Sequence, residues 1–123
     1  MTQRELEVRA FLHDIADSAA SIEDYVRGVS FETYLGDRKT RVAVEREFIT
    51  IGEALRSLLR AEPAFSEQIA EAPQIISFRN SLTHGYRNID QQKVWEIITV
   101  DLPKLLAQIR ALLSTIDGQD ATS

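Results

Sequence analysis

Apolar residues recur every three or four positions along most of this chain, as one face of an α-helix requires. The first such stretch covers residues 3–29. A second covers residues 38–61, with an apolar stripe formed by Val44, Phe48, Ile51, Leu55 and Leu58. Five Gly and three Pro in 123 residues supply few turns, which disfavours an all-β sandwich or barrel. The sequence therefore predicts an all-α fold.

Turn and capping residues mark the breaks between the predicted helices. Residues 28–36 contain two glycines and separate the first helix from the second, which Asp37 is placed to cap. Two prolines bracket residues 63–73, which are interpreted as a connector with one or two helical turns capped by Ser66. Gly52 lies inside the second helix, where a glycine costs about 1 kcal/mol relative to Ala. We expect it to permit a close helix crossing.

The second half of the chain predicts two further helices. One starts near Gln74 and ends at Gly85, a residue suited to the left-handed conformation that follows many helices. The last helix can be capped by Asp90, and Pro103 should kink it near Thr99. One domain over residues 1–116 is predicted, followed by a polar tail over residues 117–123.

Composition excludes several classes of function. The chain has no Cys, so disulfides, thiolate zinc sites and cysteine nucleophiles are excluded. It has no apolar run of about 18 residues and no charged-then-apolar leader, so we expect a cytoplasmic protein that neither spans a membrane nor is secreted. Its net charge of -5 argues against a non-specific binder of duplex nucleic acid. The two histidines lack metal-ligand spacing and no phosphate-binding loop is present, so no metal and no cofactor are predicted.

The densest polar cluster lies between residues 77 and 87 and contains Arg79, Asn80, His84, Tyr86 and Arg87. Metal-independent RNA cleavage by the 2'-hydroxyl needs a group that moves protons near neutral pH and a cation that offsets charge on phosphorus. His84 and Arg79 are of these two types. On an ideal helix they are five positions and about 140° apart, so a shared site requires helix distortion or the long reach of Arg79.

A purely structural interpretation of the same cluster stays open. His84 would then interact with the helix dipole at a C-cap, Arg79 would form a surface ion pair, and Tyr86 would pack over the turn. Four basic residues at the start of the second helix are interpreted as a solvated surface, with contact to nucleic acid left open: Arg38, Lys39, Arg41 and Arg46.

The cluster forms the motif Arg79-x4-His84-x-Tyr86, with Asn80 directly after the arginine. Three other stretches agree with the same family in order and spacing: residues 41–54, which include Ile-Gly-Glu-Ala, residues 89–95 and residues 101–105. With these features the chain resembles the HEPN superfamily, and within it the HepT branch of helical toxins. The similarity covers about residues 3–116.

The resemblance implies a HEPN-type up-and-down bundle of four to five helices that forms a homodimer with the motif helices at the interface. It also implies a metal-independent endoribonuclease that cleaves cellular RNA, such as mRNA or tRNA, and acts as the toxin of a type VII toxin–antitoxin pair. The partner would be a minimal nucleotidyltransferase antitoxin that transfers AMP to Tyr86. Arg79 and His84 would be catalytic and Asn80 supporting. The net charge of -5 still allows a small, locally basic cleft in which Arg79 and Arg87 bind RNA.

Two other functions compete with this interpretation. A HEPN dimer could be non-catalytic and bind only a nucleotide or a nucleotidyltransferase, in which case the motif would be a docking surface. A bundle without any chemistry would need every motif residue to be a cap or an ion-pair member.

Overall fold

The computed structural model describes residues 1–84 and 88–122, with side chains up to residue 118. Within this part of the chain there are six α-helices and no strands. The helices are α1 (Gln3–Val26), α2 (Phe31–Gly36), α3 (Arg38–Ala61), α4 (Ala72–Thr83), α5 (Gln91–Glu96) and α6 (Leu102–Thr122). The predicted all-α helical bundle is confirmed.

Polar side chains cap the helices at two predicted positions. The Asp37 carboxylate accepts a hydrogen bond from the Thr40 amide at 3.1 Å and so begins α3. The Asp90 carboxylate accepts from the amides of Gln92 and Lys93 at 3.1 and 3.3 Å and begins α5. Both bonds satisfy donors that a helix start leaves unpaired, and both capping predictions are confirmed.

The connectors differ from the sequence prediction. Residues 31–36 form α2 instead of a simple break, because the Ser30 hydroxyl accepts from the Thr33 amide and caps a short helix. Pro63–Glu67 forms a 3₁₀ turn that lacks a side-chain cap, so the predicted Ser66 cap is wrong. Helix α4 begins at Ala72 and places Pro73 in its first turn, where a missing N–H costs no helical hydrogen bond.

The last helix is interrupted where Pro103 predicted a kink, but the interruption is a π turn. Ile97–Asp101 adopts π-helical geometry between α5 and α6, and the Leu102 amide donates to the Ile97 carbonyl five residues earlier. Pro103 has no N–H for the Thr99 carbonyl, so regular α-helical bonding could not continue here. The wider turn accommodates that missing donor.

Helix α3 lies at the centre of the bundle. It packs against α1, α2 and α4, and α1 also packs against α6. The predicted stripe of α3, from Val44 to Leu58, is completely buried together with Leu12, Ile15 and Ile22 of α1. Helix α4 packs mainly on α3, so α3 is the support from which the motif residues project. No helix in residues 1–84 and 88–122 is long and apolar enough to cross a membrane.

Candidate active site at the end of α4

Helices α3 and α4 approach closely at Gly52, as the sequence predicted. A Cβ atom built on Gly52 would overlap the Cβ and Cγ atoms of Arg79 on α4. The glycine therefore provides the space in which the aliphatic part of Arg79 lies. Above this crossing, Phe48 and Phe78 pack edge to face with their ring centroids 5.2 Å apart, which adds apolar contact between the two helices.

The Arg79 guanidinium is held by two oxygen atoms. Its Nη2 donates to Oε1 of Glu53 on α3 at 3.1 Å, and its Nη1 donates to Oδ1 of the neighbouring Asn80 at 3.0 Å. Only 17% of the Arg79 side chain is exposed, against 58% for Glu53. The Arg79 Nε is buried and has no hydrogen-bond partner among the described residues. Arg79 is thus a fixed cation whose outer nitrogens reach the surface beside a carboxylate.

His84 follows the last residue of α4 and is anchored to a backbone oxygen. Its Nδ1 lies 2.8 Å from the Asn80 carbonyl oxygen, which also accepts from the His84 amide at 3.2 Å. A carbonyl only accepts hydrogen bonds, so Nδ1 must carry the hydrogen in this arrangement. In neutral His84 the lone pair then lies on Nε2. Because the residue is exposed, this nitrogen is available to a substrate as a proton acceptor.

Asn80 connects Arg79 and His84, which would lie about 140° apart around the axis of an ideal helix. Its side-chain oxygen holds Arg79 and its backbone oxygen holds His84. Thr83 adds a weaker contact, since its hydroxyl lies 3.3 Å from the same carbonyl and 3.4 Å from His84 Nδ1. Arg79 and His84 therefore belong to one connected cluster, although no direct hydrogen bond joins them in the described structure.

The remaining predicted site residues, Tyr86 and Arg87, lie outside the described residues, as does the predicted helix stop at Gly85. The chain continues from Asn88, which lines two pockets. One of them, of about 320 Å³, lies between α4 and α5, with Phe78, Leu82 and Ile97 as apolar lining and Ser77 among its polar residues. This pocket borders α4, but its described lining contains neither Arg79 nor His84.

A hydrogen bond ties the first half of α4 to the π turn. Gln74 on α4 donates to Asp101 at 3.1 Å. Burial is the largest cause that raises the pKa of the Asp101 carboxyl, and the charges of Glu71 and Glu96 add to it, while Lys104 and Lys93 oppose it. Helix α4 is thus fixed to α3 by packing and to the last helix by a polar contact.

Glu53 is a site residue with no role predicted from the sequence. This residue lies 26 positions before Arg79, so nothing local to the motif reveals their contact. The sequence feature that could have pointed to Glu53 is the Ile-Gly-Glu-Ala stretch. In this stretch Gly52 makes room for Arg79, and Glu53 binds the Arg79 guanidinium.

Comparisons with known proteins agree on one family. The family model described as "Ribonuclease HepT-like" matches residues 15–112. A Methanocaldococcus jannaschii protein named "Putative RNase MJ0127" is 31% identical over 119 residues, which are 95% of this chain and 96% of the relative. The "Probable ribonuclease HepT" of Thermococcus cleftensis is 32% identical over 104 residues, or 83% of this chain and 92% of the relative. No solved structure matches the chain.

Proposed function

The chain belongs to the ribonuclease HepT-like family, and we propose that it is a metal-independent endoribonuclease that cleaves cellular RNA with Arg79 and His84. The observation that carries the proposal is the 2.8 Å contact between His84 Nδ1 and the Asn80 carbonyl. It presents Nε2 to a substrate, and Asn80 also binds the cation that would stabilise the phosphate.

The proposed reaction is an attack of the RNA 2'-hydroxyl on the adjacent phosphorus. The His84 Nε2 accepts the hydroxyl proton, the 2'-oxygen forms a bond to phosphorus, and the bond to the 5'-oxygen of the next nucleotide breaks. The products are a 2',3'-cyclic phosphate and a 5'-hydroxyl that has taken up a proton. Arg79 offsets the negative charge that grows on the phosphate oxygens.

We further propose that the active form is a homodimer. The reaction uses one group that accepts a proton and another that donates one, whereas each chain has a single motif histidine. Two copies that meet along their motif helices would place two His84 side chains in one cleft. Exposure of His84 at the end of α4 is compatible with such a composite site.

The biological role proposed here is that of a toxin in a type VII toxin–antitoxin pair. A minimal nucleotidyltransferase antitoxin would transfer AMP to the hydroxyl of Tyr86, two residues after His84. The added phosphate is negatively charged and bulky, so it would repel RNA phosphates and could pair with Arg79. A single modification would then close the cleft.

Cleavage of labelled cellular RNA in the presence of a chelator tests the proposed function. The unmodified chain should cleave, and both Arg79→Ala and His84→Ala should lose activity while the oligomeric state is preserved. Intact mass must be recorded for each preparation, because an AMP adduct would itself explain inactivity. Unchanged cleavage by His84→Ala would overturn the catalytic assignment. A lack of cleavage by adduct-free protein would favour the non-catalytic binding module.

A further inference from the structure

A second polar pocket lies beside the end of the motif segment, between the start of α3 and the start of α5. Its volume is about 430 Å³. Its lining combines two cations, two amides and two apolar side chains: Arg38, Arg41, Asn88, Gln91, Val42 and Ile89. This surface, called here the arginine pocket, comes from two separate parts of the chain that the fold brings together.

The charge of the arginine pocket is positive although the chain as a whole is acidic. Arg38 and Arg41 have no ion-pair partner in the described part of the chain, whereas Arg4, Arg9, Arg27 and Arg79 each contact a carboxylate. Glu45 also lines the pocket, so the three charged side chains among its described lining residues sum to one positive charge. Two arginines around a concave surface are suited to binding a phosphate, which the planar guanidinium contacts through two parallel hydrogen bonds.

Two buried polar atoms in the arginine pocket have no partner among the described residues. They are the donor Nε of Arg41 and the acceptor Oε1 of Gln91. A buried polar atom without a hydrogen bond is unfavourable. Because both atoms are shielded from solvent, a ligand would contact the outer atoms of these two side chains. Val42, which is 48% exposed, offers an apolar surface to a sugar or base.

The side of α3 that bears Arg41 is supported by an aromatic cluster. Tyr34 of α2 is completely buried, and its ring lies 5.1 Å from that of Trp95 on α5. Burial raises the pKa of Tyr34 to about 12; the charge of Glu45 adds to this effect and that of Arg41 opposes it. The cluster joins α2 to α5, and α2 packs on α3, so packed helices lie behind the arginine pocket.

The arginine pocket lies close to His84 along the chain. Asn88 follows His84 by four residues, so their Cα atoms are at most about 14 Å apart. That distance is short enough for one RNA strand to reach both places within a few nucleotides. An RNA bound at His84 could therefore place a neighbouring phosphate at Arg38 and Arg41.

We infer that Arg38 and Arg41 bind a phosphate of single-stranded RNA next to the cleaved bond, with Gln91 and Val42 contacting the attached nucleotide. This inference rests on the proposed ribonuclease function and adds to it a binding site outside the motif. It also accounts for RNA recognition by an acidic chain, because the positive charge is concentrated where the strand passes.

The test measures binding of a short labelled single-stranded RNA to the full chain carrying His84→Ala, which does not cleave it. In this background Arg38→Gln with Arg41→Gln should weaken binding about 10-fold. It should also lower the slope of log affinity against log salt by about 0.7, the value for one single-stranded phosphate. Arg41→Lys keeps the charge and should keep the slope. RNA affinity should fall a few-fold, because lysine lacks the planar guanidinium group. The matched control is Arg60→Gln with Arg110→Gln, two exposed arginines on α3 and α6, which should change neither quantity.

Several outcomes separate the two proposals. An unchanged salt slope in the Arg38→Gln, Arg41→Gln variant would overturn the arginine pocket, even if the parent chain cleaves RNA. A lowered slope without cleavage by the parent chain would support the pocket and overturn the ribonuclease function. AMP serves as a competitor: if only AMP binding depends on Arg41, the phosphate belongs to a free nucleotide and the inference is wrong. Thermal melting confirms that each variant is folded.

Discussion

Arg79 and Arg41 both have a buried Nε without a partner in the described structure, but the two guanidinium groups differ in what holds them. Arg79 is mostly buried against Gly52 and bound by Glu53 and Asn80, whereas Arg41 borders an open pocket without an acidic partner in the described structure. A group that stabilises developing charge must be fixed before the reaction. A group that captures a flexible strand needs free donors. The difference indicates that Arg79 is suited to stabilising charge during the reaction and Arg41 to binding the RNA strand.

Substitution by lysine should have very different effects at the two positions. Arg79→Lys should lower the cleavage rate about 100-fold, because an ammonium group cannot hold Glu53 and Asn80 as the planar fork does. Arg41→Lys should lower RNA affinity only a few-fold and leave the maximal rate unchanged. Steady-state cleavage with short RNA gives both quantities. A similar loss of rate for the two variants would show that the cations are not specialised.

The fixed setting of Arg79 should depend on the absence of a side chain at residue 52. Gly52→Ala should destabilise the protein by about 1–3 kcal/mol through overpacking, partly offset by about 1 kcal/mol of better helix propensity. Cleavage should fall as Arg79 is displaced. Gly36→Ala is the control, because a Cβ there meets nothing within 4 Å. Urea unfolding and cleavage rates measure the two effects, and a fully active Gly52→Ala protein would contradict this account.

Glu53 should limit how strongly Arg79 attracts phosphate. Glu53→Gln retains an oxygen for Arg79 but removes the charge, so KM for RNA should fall about two- to five-fold with little change in kcat. Stability should change by less than about 1 kcal/mol, because the ion pair is partly exposed. Glu67→Gln alters the net charge equally at an exposed position away from Arg79. If Glu67→Gln lowered KM as much, the effect would be one of net charge alone.

The smallest effect at neutral pH is expected for a change in the stability of the protein at Tyr34, the buried tyrosine of α2. Tyr34→Phe should change stability by about 1 kcal/mol or less, since the buried hydroxyl has no partner in the described structure. Above pH 10 the two proteins should diverge. Tyr34 ionises near 10 when unfolded and near 12 when folded, so the folded state binds the extra proton and wild-type stability falls as pH rises through this window. Tyr34→Phe should lose less stability there, as chemical unfolding between pH 9 and about 12 would show.

Local signals in the sequence predicted most of the helices. Asp37 and Asp90 act within three residues of themselves, so their capping roles could be inferred without tertiary structure. Helix α2 could not, because six residues are too few to be stable alone. It depends on Tyr34 packing against Trp95, which lies 61 residues later in the chain. Pro103 indicated the place of the interruption in the last helix but not its π geometry.

The candidate site was only partly predictable for a related reason. Arg79 and His84 are recognisable by residue type and spacing, but what joins them is the backbone oxygen of Asn80, an atom that every residue possesses. Glu53 reaches Arg79 from another helix, so their contact depends on the α3–α4 crossing. The start of α3 appeared as a solvated basic surface because the pocket at Arg38 and Arg41 also needs residues from the start of α5.

The π turn at Ile97–Asp101 has a consequence for the length of the chain. A π turn holds one residue more than an α-helical path would need, and each residue of an α-helix adds about 100° of rotation. Deleting Val100 would restore an ordinary helix and rotate α6 by that angle relative to α5. Leu105 and Ile109, now completely buried, would turn away from the core. Among homologous chains of this fold, a one-residue deletion at this position should therefore occur only where the apolar residues of α6 have shifted to the face that then points to the core.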